Sequence, residues 1–246
     1  MSGAKDIVVR PISATEAREV VRRVHYSGKV VNNSTLHLGV YYAGKLEGAM
    51  QFGPPMVKAP ILALVRGTEW SQMLELNRMA FGEALPRNSE SRALAIAFRM
   101  LRKHRPDIKW ILSFADGTQC GDGTIYRASG FVLTDVKHNR NIVQLDNGQI
   151  LTQMTLRLAK HLQSDGTKQR GKALTGYQFR YIKFLDPTWV DRLTVPVIPF
   201  DQIPPEARMY RGQRINTAAA SSEDGGDHPP QDGATPIQPL REVADA

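Results

Sequence analysis

The chain has 246 residues, 41% of them apolar, a formal charge of +8 and a single cysteine, Cys120. That is enough apolar material for one sizeable core, the lone cysteine excludes an internal disulfide framework, and no apolar run approaches the roughly 18 residues a membrane helix needs. The charge is uneven: from Ser221 onward Glu223, Asp224, Asp227, Asp232, Glu242 and Asp245 face Arg241 alone, a net −5 that leaves +13 for the body, and so basic a body attracts polyanions, nucleic acid first among them.

The N-terminus, Met-Ser-Gly-Ala-Lys-Asp6, lacks the apolar core of a secretory signal. With the lone thiol this predicts a cytoplasmic protein, in the host cell if the chain is phage-encoded. Ser13-Ala-Thr-Glu16 forms a capping box, and Ala17, Val20, Val21 and Val24 follow at helical spacing, which predicts a helix from about Thr15 to Val24. It runs into His25-Tyr26-Ser27-Gly28, where Gly28 can end it. Leu36–Tyr42 and Leu46–Phe52 are β-rich around Ala43-Gly44-Lys45 and read as a hairpin. Pro54-Pro55 then breaks the strand, and the segment to Gly67 reads as loop.

Met73–Phe81 alternates, which places Glu75, Asn77 and Met79 on one face of a strand and Leu74, Leu76, Arg78 and Ala80 on the other. An arginine on an otherwise apolar face needs a partner or a ligand. Asn88-Ser89-Glu90-Ser91-Arg92 supplies cap residues for a helix of about fifteen residues with the stripe Ala93, Leu94, Ile96, Ala97, Met100 and Leu101, which Pro106 stops. Trp110–Ala115 is apolar enough for a buried strand, and Gly117, Gly121 and Gly123 then let the backbone turn sharply or approach a ligand. Asp116 and Tyr126 therefore flank one loop at a strand end, where open α/β sheets bind ligands.

Val132–Lys137, Ile150–Leu158 and Tyr177–Phe184 read as further strands. From about Gly212 aromatics vanish and Ala, Ser, Gly, Asp and Pro dominate, so 213–246 is expected to be a disordered acidic tail after a catalytic domain of residues 1–212. Helices interleaved with a mostly antiparallel sheet predict an α+β sandwich with a mixed central sheet.

The order of elements, with a capped helix after an arginine-bearing strand and then Ile125-Tyr-Arg-Ala-Ser-Gly-Phe131, resembles the GNAT acyltransferase fold. The set His25-Tyr26-Ser27-Gly28, Glu75-Leu-Asn-Arg-Met-Ala-Phe81, Ser113-Phe-Ala-Asp116 and the Tyr126 segment is more specific. It is similar to the Mom proteins of phage Mu and related phages, over about Val20 to Phe184. That family converts adenine in double-stranded DNA to N6-carbamoylmethyladenine and so blocks host restriction. The resemblance implies that His25, Tyr26, Asp116 and Tyr126 form the active-site set and that Arg78 and Ser91 help bind the donor. The usual GNAT pyrophosphate loop is missing, and Arg87-Asn-Ser-Glu-Ser-Arg92 stands in its place; Arg87 and Asn88 thus join the donor-binding candidates.

On this reading Tyr26 stacks on an extruded adenine, His25 or Asp116 takes the N6 proton, and Tyr126 protonates the leaving group. Direct acetyl transfer would give an amide, N6-CO-CH3, without the product's terminal nitrogen. Glycyl transfer gives N6-CO-CH2-NH2, an isomer of the product N6-CH2-CO-NH2, so glycyl-tRNA is one expected donor and tRNA a possible partner. The competing donor is acetyl-CoA with iron supplying oxidation chemistry, held by His25, Tyr26 and Asp116. Two other functions stay open: an ordinary GNAT acetyltransferase acting on a small amine or protein, and a non-enzymatic basic DNA-binding protein. No membrane role is expected, and a homodimer is left open.

Overall fold

The computed structural model describes residues 3–25, 27–117, 121–145, 150–152, 171–207, 209–210 and 213–214. Tyr26, Cys120, residues 153–158 of the expected Ile150–Leu158 strand and the tail from residue 215 lie outside them. Strands run in chain order as β1 (Val8–Pro11), β2 (Leu36–Tyr42), β3 (Lys45–Gly53), β4 (Met73–Phe81), β5 (Trp110–Asp116), β6 (Val132–Leu145), β7 (Ile150–Thr152) and β8 (Gly171–Phe184). The helices are α1 (Ala14–Val24), α2 (Ala59–Leu62), α3 (Ser89–His104) and α4 (Thr124–Ala128). The strands form one sheet in the order β1-β2-β3-β4-β5-β8-β6-β7. Every pairing is antiparallel except β4 with β5. The expected α+β sandwich with a mixed, mostly antiparallel sheet is therefore the architecture observed.

Local chemistry accounts for the elements. Ser13 accepts from the Glu16 amide while the Glu16 carboxylate accepts from the Ser13 amide, so both orphan donors at the α1 start are met. The β2–β3 turn places Ala43 and Gly44 at positive φ, as a tight hairpin requires. Strand β1 is too short and too exposed to announce itself in sequence; it is a strand because β2 offers it an edge. Part of the expected 54–67 loop is helical, as α2.

The sheet is covered on both faces. Leu74, Leu76, Ile111, Phe179 and Tyr181 pack against the α3 stripe of Ala93, Leu94, Ala97, Phe98 and Leu101. On the opposite face Ala49 and Ala80 meet Ala17, Val20 and Val21 of α1. Met73, Trp110, Leu112 and Ile182 on that same face meet Leu64, Val65 and Trp189.

Two irregularities shape the middle of the sheet. The register between β3 and β4 shifts between Arg78 opposite Gln51 and Leu76 opposite Phe52, which leaves Asn77 as a β-bulge. The extra residue reverses the alternation. Met79 joins Leu74 and Leu76 on the α3 face, and Arg78 joins Ala80 on the α1 face. The strict alternation expected from the sequence is thus corrected: Arg78 is not the odd residue of an apolar face. The second irregularity is that β4 and β5 pair only from Met73–Glu75 with Trp110–Leu112, after which each keeps its outer partner and the inner edges separate.

Gly53 ends β3 where the 33–34 backbone crosses it, and an added Cβ would lie 2.2 Å from the Asn33 carbonyl oxygen and 2.7 Å from Ser34 Cα. Backbone cannot yield as a side-chain tip can. Gly53→Ala is expected to cost about 1–3 kcal/mol, read as a lower denaturant midpoint; an unchanged midpoint would show that the 33–34 segment is not fixed there.

Candidate active site

The candidate residues are carried on both faces of the sheet. On the α1 face, His25 caps the C-terminus of α1 with extended backbone. Its Nδ1 lies 2.8 Å from Ser27 Oγ and accepts from the Ser27 amide at 3.2 Å. An amide N–H can only donate, so Nδ1 is unprotonated and the neutral ring carries its proton on Nε2. Burial, reinforced by the Arg78 guanidinium, pushes the His25 pKa down to about 4. At neutral pH His25 is therefore an uncharged imidazole whose Nε2–H donates, a polarising group rather than a proton acceptor.

Arg78 reaches this position because the bulge turned it there. Its Nε donates to the Lys29 carbonyl at 3.1 Å and its Nη1 to the Asn77 carbonyl at 3.0 Å. Ser34 Oγ donates to Asn77 Oδ1 at 3.0 Å, and Asn33 Nδ2 donates to the Pro54 carbonyl. The 29–34 segment is thus pinned over the gap by main-chain and amide contacts. Burial holds the Glu75 carboxyl above the usual range, although the Asn77 side chain and Arg78 pull it back down. The sequence marked Glu75 as a strand residue and as the first residue of the Glu75–Phe81 motif; nothing local signalled its burial beside the bulge.

Asp116 is the last residue of β5 and lies opposite Gln178 of β8. Strand alternation puts it with Leu112 and Phe114 on the face that carries α1. Tyr126 sits on the other face, half-buried, stacked on Tyr181 at 4.9 Å and edge-on to Phe131 at 5.2 Å. The Tyr181 hydroxyl donates to the Asp122 carbonyl, and its pKa is raised by burial. Gly123 starts α4 at φ +81, and a Cβ there would come 2.6 Å from that hydroxyl. Tyr126 is therefore aimed by a ring stack and a glycine. Ser113, the first β5 residue past the last β4 pair, is fully buried, and its hydroxyl has no partner among the described residues.

The remaining candidates divide. Arg87, Asn88 and Ser91 come together at the N-terminus of α3, while Arg78 belongs to the His25 group. Asn88 holds the N-cap in the left-handed region at φ 68 without a side-chain cap bond, and Ser91 Oγ donates to its carbonyl at 3.2 Å. These residues line a hollow of about 720 Å³ together with Lys5, Asp6, Arg92, Arg99 and Ala128 of α4 among its other walls, so that one carboxylate stands among four cations. Arg92 Nη2 donates to the Lys5 carbonyl, and its Nε is buried without a partner among the described residues. A cluster of cations at a helix N-terminus suits an anionic group. Arg92 and Arg99 recur with Asn88 at helical spacing, a signal present in the sequence; Lys5 is brought in by the fold alone. Among the described residues no three of His, Cys, Asp and Glu come together as a metal-binding set, and Tyr26 lies outside them.

The model of the Mom protein family matches residues 6–202. The methylcarbamoylase mom of Escherichia phage Mu is 34% identical over 208 residues, which cover 82% of this chain and 85% of that protein. Similar solved structures include the Escherichia coli ribosomal-protein-S18-alanine N-acetyltransferase, with a TM-score of 0.43 at 10% identity over 73% of this chain and 94% of that one. Another is a GNAT family acetyltransferase from Elizabethkingia anophelis with acetyl-CoA bound, with a TM-score of 0.38 at 12% identity over 73% and 98%.

His25 makes stability pH-dependent with a definite sign. Its pKa is 6.5 unperturbed and about 4 in the fold, so below 6.5 unfolding takes up a proton, and stability falls by about 1.4 kcal/mol per unit toward pH 4. Thermal unfolding across that range is expected to show a shallower slope for His25→Gln. A residual slope belongs to His37, whose pKa burial also lowers, and toward pH 4 to carboxylates that hydrogen bonds hold low, Glu16, Asp107 and Asp186 among them. An unchanged slope in the variant would overturn the buried neutral imidazole.

Proposed function

The chain belongs to the Mom protein family, and from that premise we propose that it converts adenine N6 in double-stranded DNA to N6-carbamoylmethyladenine, acting on a base extruded from the helix. The observation that supports this most is the parting of β4 from β5 beyond Glu75 and Leu112 in a sheet that carries a buried neutral imidazole and Asp116 on its α1 face and, on its α3 face, Tyr126 and a basic hollow lined by α3 and α4. An exocyclic amine in a duplex is paired and conjugated with its ring, so it must be extruded and then relieved of a proton as it attacks.

Asp116 is the acceptor for the N6 proton, because His25 offers an N–H rather than a lone pair at Nε2. His25 instead donates to the carbonyl oxygen that gains charge on attack, and Arg78 keeps that imidazole uncharged. Tyr126, from the opposite face, returns a proton to the departing group. Tyr26 supplies an aromatic face for the extruded base.

The donor carries phosphate, and Arg87, Asn88 and Ser91 with Arg92 fit it: the buried Arg92 Nε, without a partner among the described residues, and the cations gathered at the α3 N-terminus are groups that phosphate oxygens satisfy. Glycyl-tRNA and acetyl-CoA both bring such a group. We favour the glycyl donor on atom balance. The amide forms as the ester breaks, and N6-CO-CH2-NH2 already contains every atom of the product, so what remains is a redox-neutral isomerisation in which the N6–CO and CH2–NH2 bonds break while the N6–CH2 and CO–NH2 bonds form. The acetyl donor requires in addition a nitrogen source and an oxidant, which iron chemistry would supply.

Mass analysis of nucleosides from the DNA of cells expressing the full chain is expected to show an adenine heavier by one glycyl residue. Asp116→Asn is expected to reduce it by about a hundredfold or more. Unmodified DNA from the wild type overturns the reading, and full modification by Asp116→Asn overturns the role of Asp116.

Feeding the same cells glycine with labelled nitrogen is expected to label the product amide. An unlabelled amide in cells whose glycine is labelled overturns the glycyl donor, and carbon label entering from acetate instead assigns the acetyl donor.

A further inference from the structure

Base extrusion leaves a hole in the DNA stack, and proteins that unstack a duplex insert an apolar side chain to fill it. The segment Pro54-Pro55-Met56-Val57-Lys58 carries such a side chain. Met56 is 79% exposed and Val57 58%, and they are the only adjacent pair among the exposed large apolar side chains of the described residues. Two neighbouring apolar side chains held in water have no role in folding stability.

Their mounting is rigid. Pro54 and Pro55 restrict the backbone and Pro55 is buried, the Pro54 carbonyl accepts from Asn33 Nδ2, and α2 begins directly after Lys58. Asn33 belongs to the same 29–34 segment that holds Arg78 through the Lys29 carbonyl and Asn77 through Ser34. The apolar tip and the His25 group are thus fixed to one piece of chain. Lys58, two residues on from Met56, is exposed, a cation that suits a phosphate flanking an inserted side chain.

We infer that Met56 is a wedge: it enters the base stack beside the target adenine and occupies the space that the extruded base leaves, with Val57 against the flanking base. A flexible, polarisable methionine suits an irregular hole between bases. The inference rests on the proposed action on an extruded adenine and adds the residue that holds the duplex open.

The test uses the purified full chain and a panel of short duplexes, each with 2-aminopurine replacing one adenine, whose fluorescence rises on leaving the stack. The wild type is expected to raise it at one or more positions. Met56→Ala is expected to lower the rise about tenfold on intact duplex. It regains the rise where 2-aminopurine faces a mismatch or an abasic site, and Met56→Leu keeps it throughout. Because Met56 is so exposed, its truncation leaves thermal unfolding unchanged, which separates wedge loss from misfolding. A full rise with Met56→Ala on intact duplex overturns the wedge alone. No rise with the wild type on any duplex, mismatched ones included, overturns the extrusion reading beneath it. Loss of self-association in DNA-free Met56→Ala, with fluorescence unchanged, assigns the tip to a second copy of this chain and overturns the wedge.

Discussion

The parting of β4 from β5 is the constraint on which the rest of the site depends. These are the only parallel neighbours in the sheet, and they pair over three residues before their inner edges separate. A closed sheet would isolate its two faces, because a continuous ladder leaves no path for a side chain or ligand between strands. The gap removes that barrier where His25, Arg78 and Asp116 lie on one face and Tyr126 on the other. The outer partners keep it from closing or spreading: β3 holds β4 through Phe81, and β8 holds all seven residues of β5.

The bulge at Asn77 then decides what faces the gap. Without the extra residue, Arg78 would point at the α3 core among Leu74 and Leu76, where an unpaired guanidinium would cost several kcal/mol. With it, Arg78 turns to the α1 face, and the Asn77 side chain is left to receive Ser34. One inserted residue thus positions the cation, fixes the 29–34 segment and keeps the apolar face of β4 intact through Met79 and Phe81.

Much of this was legible in the sequence, and the failures have particular causes. The Ser13–Glu16 capping box, the alternation of β2, β3 and β5, and the α3 stripe are local signals, and local physics was enough to read them. The placement of Asp116 at a strand end and Tyr126 in the short helix after a glycine-rich turn was legible because an apolar run followed by glycines marks where a buried strand stops. Arg78 was assigned to the wrong face because periodicity assumes an unbroken ladder, and a bulge depends on the partner strand. The grouping of Lys5 with Arg92 was invisible because it joins residues far apart in the chain. The protonation pattern of His25 was out of reach for a related reason: residue type does not say which ring nitrogen a main-chain N–H will occupy, and here the Ser27 amide takes Nδ1, leaving the ring a donor at Nε2.

That donor role explains why a cation stands beside a histidine in a chain whose body already carries a large positive charge. Phosphates of a bound duplex would raise the pKa of a nearby imidazole and tend to charge it. A charged ring would donate from both nitrogens, so the Ser27 amide would lose its acceptor and swing the ring out of place. Burial and Arg78 press the pKa the other way, to about 4, leaving room for an opposing shift before the ring would protonate at neutral pH. Arg78 therefore acts on electrostatics as well as on structure: its two main-chain bonds fix its position, and its charge adds to burial in holding the His25 pKa low. Lysine at that position would retain the charge but lack the planar fork that meets both carbonyls at once, so the two duties are separable by chemistry at a single residue.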